Sequence, residues 1–258
     1  MKSVTDTGTV RPPLNLALRA LLRADATVLM RSKISATLSI LLPVVILVAT
    51  TFGKSQHRLG GTTLTIGLAL VIGLLTSSML GFTLAIAGDR DTGVLQRLHA
   101  APVPTWAIMG SRMGVQVAAN LVGSIIVVVV GVILHGLALD AGQVLLVLGA
   151  ALLGGVTFLS IGQAVVGLVK SSAAVLAVSR VIFIVLILLG LVGGTGLLGD
   201  TLKSIAEWTP VGALMTLFAD ILNRAGWSAQ DGWALLACVA WTVVCAGIGI
   251  RWFRWESR

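Results

Sequence analysis

The stretch GDRDTGVLQRLHAAPVPTW, residues 88–106, carries four charged side chains, a histidine and two prolines between two long apolar runs. The chain around it has 258 residues, 57% of them hydrophobic and only 11% charged, with a mean hydropathy of +1.02. A soluble domain carries roughly 25% charged residues, whereas a helix crossing a hydrocarbon core of about 30 Å needs about 20 apolar residues in a row. Several runs here reach that length. The chain therefore reads as an all-α integral membrane protein, and the charged stretch as a loop at one membrane face.

Within the loop, Asp89, Asp91 or Thr92 can cap a short helix, and Pro102 and Pro104 stop it beyond Ala101. Val94, Leu95 and Leu98 share one face at helical spacing, leaving Arg90, Asp91 and Arg97 for the aqueous side. A short amphipathic helix of this kind either docks into a partner's groove or lies on lipid, and the residue pattern allows both. Gly93 either permits close backbone approach or is a plain turn residue.

Working outward, six transmembrane helices are expected near 34–53, 62–87, 112–135, 143–169, 173–192 and 230–250. Pro43 falls inside the first, where neighbouring helices can compensate for its missing donor. Residues 14–32 read as an amphipathic interfacial helix. Leu14, Ala17, Leu18, Leu21, Leu22, Val28 and Leu29 share one arc, and Arg19, Arg23, Thr27 and Arg31 the other. Asp25 breaks the apolar face.

Between spans five and six, a glycine-rich run over 190–200 weakens any helix, and Pro210–Leu222 is apolar but too short to cross. Thr209 suits an N-cap and Pro210 the first helical position. That segment is expected to dip into the outer leaflet or lie along it. Trp208, Trp227 and Trp233 surround it, and Trp252 and Trp255 mark the opposite interface. Residues 1–258 read as one transmembrane domain without a separate soluble part.

Charge placement gives the orientation. Thirteen of the 18 Lys and Arg fall on the side that holds both termini and the 88–106 stretch, so that side is expected to be cytoplasmic. The same asymmetry accounts for the net charge of +8 without any nucleic acid. No cleaved signal is expected, because the first 33 residues are polar and basic and the next apolar run is long enough to span. The Arg-rich balance suits a GC-rich bacterial genome and hence a bacterial plasma (inner) membrane.

Several chemistries lack their residues. TFGKS, residues 51–55, resembles the end of a phosphate-binding loop, but Val48 stands where that motif needs glycine. Cys238 and Cys245 are seven residues apart, about 10 Å on a helix, and read as packing residues. No carboxylate, histidine or nucleophile motif lies mid-span, so an intramembrane enzyme has no catalytic residues here and no metal site is expected. Arg180 sits within snorkelling reach of an interface and is either structural or part of a transport path. Asn120 and Gln163 either bond across helices or line a pathway.

The loop resembles the signature of type-2 ABC exporter permeases, which runs approximately E-R-E-x-G-T-L-E-R-L-x-x-x-P followed by V or L. It stands here as Asp89-Arg90-Asp91-Thr92-Gly93-Val94-Leu95-Gln96-Arg97-Leu98, then Pro102-Val103. Departures at Asp89, Asp91, Val94 and Gln96 keep the shape and remove one negative charge. The interfacial helix, six spans and apolar segment before span six are similar to that family as well.

The resemblance implies that the loop is a coupling helix docking into a separate ATPase dimer that holds ATP and Mg, with no cofactor on this chain. The coupling residues would be Asp89, Arg90, Asp91, Gly93, Val94, Leu95, Arg97, Leu98 and Pro102. It further implies pairing with a second permease, as homodimer or heterodimer, and export of drugs, lipids or polysaccharides. The scarcity of mid-membrane charge and of aromatics favours a hydrophobic or amphiphilic drug or lipid. The competing reading is a membrane scaffold or assembly factor of the same topology.

Overall fold

The computed structural model describes residues 14–31, 41–49, 61–94, 97, 104–194 and 200–252. Helix α1 (Leu14–Arg31) comes first, and residues 41–49 are helical. There follow α2 (Thr62–Asp91), α3 (Thr105–His135), α4 (Ala141–Leu168), α5 (Ser172–Gly194), α6 (Asp200–Trp208), α7 (Pro210–Leu222) and α8 (Ala229–Trp252). Among the described residues there is no strand, and α2, α3, α4, α5 and α8 are long and apolar enough to cross a membrane. Of the expected first span, 34–53, only 41–49 is described. The TFGKS segment and Trp255 lie outside the described residues.

Five of the six expected spans fall where the apolar runs placed them, but two of these overshoot toward the charged stretch. Helix α2 continues through Asp91 instead of stopping near 87, and α3 starts at Thr105, directly after Pro104, instead of near 112. The charged residues Asp89, Arg90 and Arg112 thus belong to helices, held there by partners within the protein. Pro104 is extended (φ −64°, ψ 139°) and sets the start of α3.

Helix α4 is the centre of the bundle and packs on α2, α3, α7 and α8. A capping box opens it: Asp140 Oδ1 accepts from Gln143 N at 2.7 Å, and Gln143 Oε1 accepts from Asp140 N at 3.1 Å. Phe158, Leu70, Leu74, Leu214 and Phe218 form the interior. Cys238 and Cys245 are free and buried within it, as packing residues.

Helix α7, expected to dip into the outer leaflet or lie along it, is packed inside the bundle. It is seated among α2, α4, α5 and α8, with Val211, Leu214 and Phe218 almost wholly buried. Thr209 caps it as expected, its Oγ1 accepting from Gly212 N at 3.1 Å with Pro210 next. Helix α6 precedes it as a second short helix before the last span, over the stretch DTLKSIAEW. Trp208 and Trp233 meet with ring centroids 6.0 Å apart, and Trp241 donates to the Trp208 carbonyl at 3.0 Å.

Large exposed apolar side chains on α5 and α8, such as Val181, Ile184, Val243 and Val244, give these helices outer faces fit for lipid or another membrane helix. Arg180 is exposed on α5.

Candidate functional site

The loop end of the bundle is organised by charges that a reading of the loop as a separate helix could not place. Arg90 is only 5% exposed, and its guanidinium donates to the carbonyls of Val166 (2.7 Å) and Val169 (3.0 Å) at the end of α4. Those carbonyls belong to the last turn of a helix, where no intrahelical donor remains for them and a cation is favoured. The expectation that Arg90 faces water is therefore corrected: it clamps α2 to α4. Asp91 and Arg97 are exposed, as expected.

Asp89 points the other way, pairing with Arg112 of α3 at 2.5 Å. Arg112 also faces Asp25 of α1, Nε to Oδ1 at 3.8 Å, and Ser111 donates to Asp25 Oδ2 at 2.5 Å. Burial pushes the Asp25 carboxyl above its ordinary value, with the Ser111 hydrogen bond and Arg112 acting against that rise. The residue that breaks the apolar face of α1 is thus its anchor on α3. The interfacial face itself is divided: Leu18, Leu21 and Leu29 are half-buried, while Leu22 and Val28 are exposed. Leu14 starts the helix.

The segment after α2 starts at a turn. Thr92 Oγ1 bonds back to the Gly88 carbonyl at 2.9 Å, so Thr92 finishes α2 and does not cap a new helix. Gly93 has φ +69°, a left-handed conformation that costs an L residue about 1 kcal/mol or more, so the glycine is required by the turn itself. After it, Arg97 N donates to the Gly93 carbonyl at 3.3 Å, one helical turn. Val94 is half-buried. Leu95, Leu98 and Pro102 lie outside the described residues.

Deeper in the bundle, α2 is interrupted by a π-helical segment, Leu75–Gly81. Such segments reposition side chains and recur at functional sites. Here the segment carries Ser77 and Ser78 to α3. Asn120 Nδ2 donates to Ser78 Oγ at 2.6 Å, and Gln116 Nε2 donates to Ser77 Oγ at 2.8 Å and to the Ser77 carbonyl at 3.2 Å. Asn120 thus bonds across helices, one of its two expected roles, and Gly155 of α4 leaves it room. Gln163 instead packs its stem over Gly249. The signal that could have found the network is the Gln116–Asn120 pair, one helical turn apart in an apolar run, opposite a Ser-Ser pair.

A cavity of about 510 Å³ runs alongside these groups. Helix α1 contributes Asp25 and Leu29, α2 contributes residues from Leu70 to Asp89, and α3 those from Arg112 to Val127, with Pro43 between. Among the described residues no three His, Cys, Asp or Glu side chains come together to hold a metal.

None of the curated proteins compared with the chain matches it. Residues 17–251 do match a family, described as ABC-2 family transporter protein, whose membrane components are typically non-catalytic and generally pair with an ABC ATPase. That match runs from the first turn of α1 to the last turn of α8 and takes in the spans, the clamped loop and the buried α7, so this multi-pass chain belongs to the ABC-2 transporter family, as a membrane component.

Proposed function

We propose that this chain is the permease subunit of an ATP-driven exporter that moves a hydrophobic or amphiphilic molecule, a drug or a lipid, out of the cytoplasm or the inner leaflet. ATP and Mg are handled by a separate ATPase dimer, and a second permease completes the membrane part. Both termini and the 88–104 segment face the cytoplasm of a bacterial plasma membrane, in keeping with the excess of Lys and Arg on that side.

The observation that carries this reading is the way the loop is tied to the spans. Asp89 at the end of α2, Arg112 near the start of α3 and Asp25 of α1 form one linked group, and Arg90 joins α2 to α4. A push on the exposed Asp91 and Arg97 is therefore passed to four helices at once. A loop that only rested on lipid would have no use for such ties.

The test is co-purification in mild detergent. Tagged wild type is expected to bring down an ATP-binding subunit, and the Leu95→Asp, Leu98→Asp double variant to lose it while remaining monodisperse. Folded wild type without any ATPase, or a variant that retains it, overturns the reading.

A further inference from the structure

We infer that the cavity between α1, α2 and α3 is a binding site for a lipophilic organic monocation carrying neutral hydrogen-bonding groups. The inference rests on the exporter reading for its purpose, and names the substrate class within it.

Size sets the first limit. About 510 Å³ lies within the roughly 300–1,000 Å³ of sites for drug-sized molecules, and most of the residues that line it are apolar, with the polar ones gathered on α2, α3 and Asp25. The apolar lining, from Leu70, Leu74, Phe82, Val115 and Val127, suits a hydrophobic body.

Charge sets the second. Asp25 and Asp89 both line the cavity, and they share one guanidinium, that of Arg112, at 3.8 Å and 2.5 Å. The guanidinium of Arg90, next to Asp89, is turned away onto the α4 carbonyls and is not among the described lining residues. Among the described lining residues, two carboxylates against one cation leave a surplus acceptor charge at that end. Such a surplus beside apolar walls attracts a cation, whose binding offsets it. An anionic ligand would instead have to displace Asp89 from Arg112.

Open hydrogen-bonding capacity sets the third. Gln116 uses its Nε2 on Ser77 and Asn120, while its Oε1 accepts from nothing among the described residues. Ser124 is 4% exposed, lines the cavity, and its hydroxyl has no partner among the described residues. An acceptor and a hydroxyl left open beside an apolar cavity match the N–H, ester or amide groups of a ligand. The π-helical segment of α2 is what brings Ser77 to Gln116 and fixes the orientation of that amide.

The test uses the permease alone in nanodiscs of zwitterionic lipid, with empty nanodiscs as the correction for partitioning. The probes are rhodamine 6G, a monocation with an ester and N–H groups, and the anionic fluorescein ethyl ester on the same ring system. Fluorescence anisotropy is expected to show rhodamine 6G binding at least about tenfold tighter than the anionic dye, a difference of about 1.4 kcal/mol or more.

Gly123 lines the cavity and a Cβ there would meet nothing within 4 Å, so Gly123→Phe is expected to fill the space and weaken rhodamine 6G binding about tenfold or more. Gly114→Phe, on the same helix and outside the lining, is expected to leave binding unchanged. Asp89→Asn, which keeps shape and removes charge, is expected to narrow the preference for the cationic dye severalfold. Equal affinity for the two dyes, wild-type binding by Gly123→Phe, or an unchanged charge preference in Asp89→Asn would each overturn the proposal. ATPase capture decides the exporter reading independently of these outcomes.

Discussion

The two sides of the bundle differ in how closely their helices approach. Around α7 the packing leaves no room: a Cβ on Gly154 would sit 2.7 Å from Leu214, one on Gly190 2.1 Å from Val211, and one on Gly212 2.0 Å from the Ala206 carbonyl. On α3, a Cβ on Gly123, beside the cavity, would meet nothing within 4 Å, while Gly110 and Gly114 face outward. The first side is held by shape and the second by a few polar ties over an apolar cavity. Close-packed interiors transmit strain as rigid bodies. The α1–α2–α3 side, where the charged segment enters, is the one that holds the cavity.

The largest expected effect comes from cutting the charged tie between α2 and α4. Arg90→Ala leaves the Val166 and Val169 carbonyls without their charged donor and should cost about 3 kcal/mol, whereas Arg90→Lys should recover part of it. Unfolding of the purified protein by sodium dodecyl sulfate titration measures this, and a loss below 1 kcal/mol would show that the clamp is dispensable.

The contrast in packing makes the next prediction. Gly212→Val should destabilise by about 1–3 kcal/mol, because the obstacle is a backbone carbonyl that cannot rotate away. Gly114→Ala on α3 should be neutral or stabilising by up to about 1 kcal/mol, since it adds helix propensity in open space. Thermal unfolding of the two variants side by side would break the comparison if they moved alike.

At the turn, Gly93→Ala should cost about 1 kcal/mol through its positive φ, and Gly93→Asn less, because Asn tolerates that conformation better. The same thermal series checks it.

The smallest effect is a dependence on pH. With its folded value raised above the ordinary 3.8, Asp25 binds its proton more tightly in the folded protein than in the unfolded one. Its stabilising contribution is full below 3.8 and fades as the pH rises through the folded value. Asp25→Asn, which resembles the protonated form, should flatten that part of the stability profile between pH 7 and pH 4. A wild-type and an Asp25→Asn profile that run parallel would place the sensitivity elsewhere.

Residue by residue, the spans were legible because apolar length is a local property. Thr209 and Pro210 announced the start of α7 for the same reason, since a cap acts within one turn. The site was only partly legible. Gly93, Asp91 and Arg97 stand as the loop pattern suggested, but Arg90 and Asp89, neighbours in sequence, turn to α4 and α3 respectively. Asp25 looked like a flaw in an amphipathic helix, and its partner lies 86 residues away.

What the sequence by itself determined is the solvent of this protein. Apolar runs of span length allow only helices across the bilayer, since backbone groups there must bond within their own segment. Basic residues gathered at one end, and two prolines bounding a charged stretch, were equally local signals. Only the tertiary structure decided which way each polar side chain turns, that α7 is a core element, and that a π-helical segment of α2 meets Gln116 and Asn120 beside a cavity. The physical reason is that a buried polar group is settled by whichever partner comes within about 3 Å, and for Gln116, Asn120 and Asp25 those partners stand on other helices, 39 to 86 residues away.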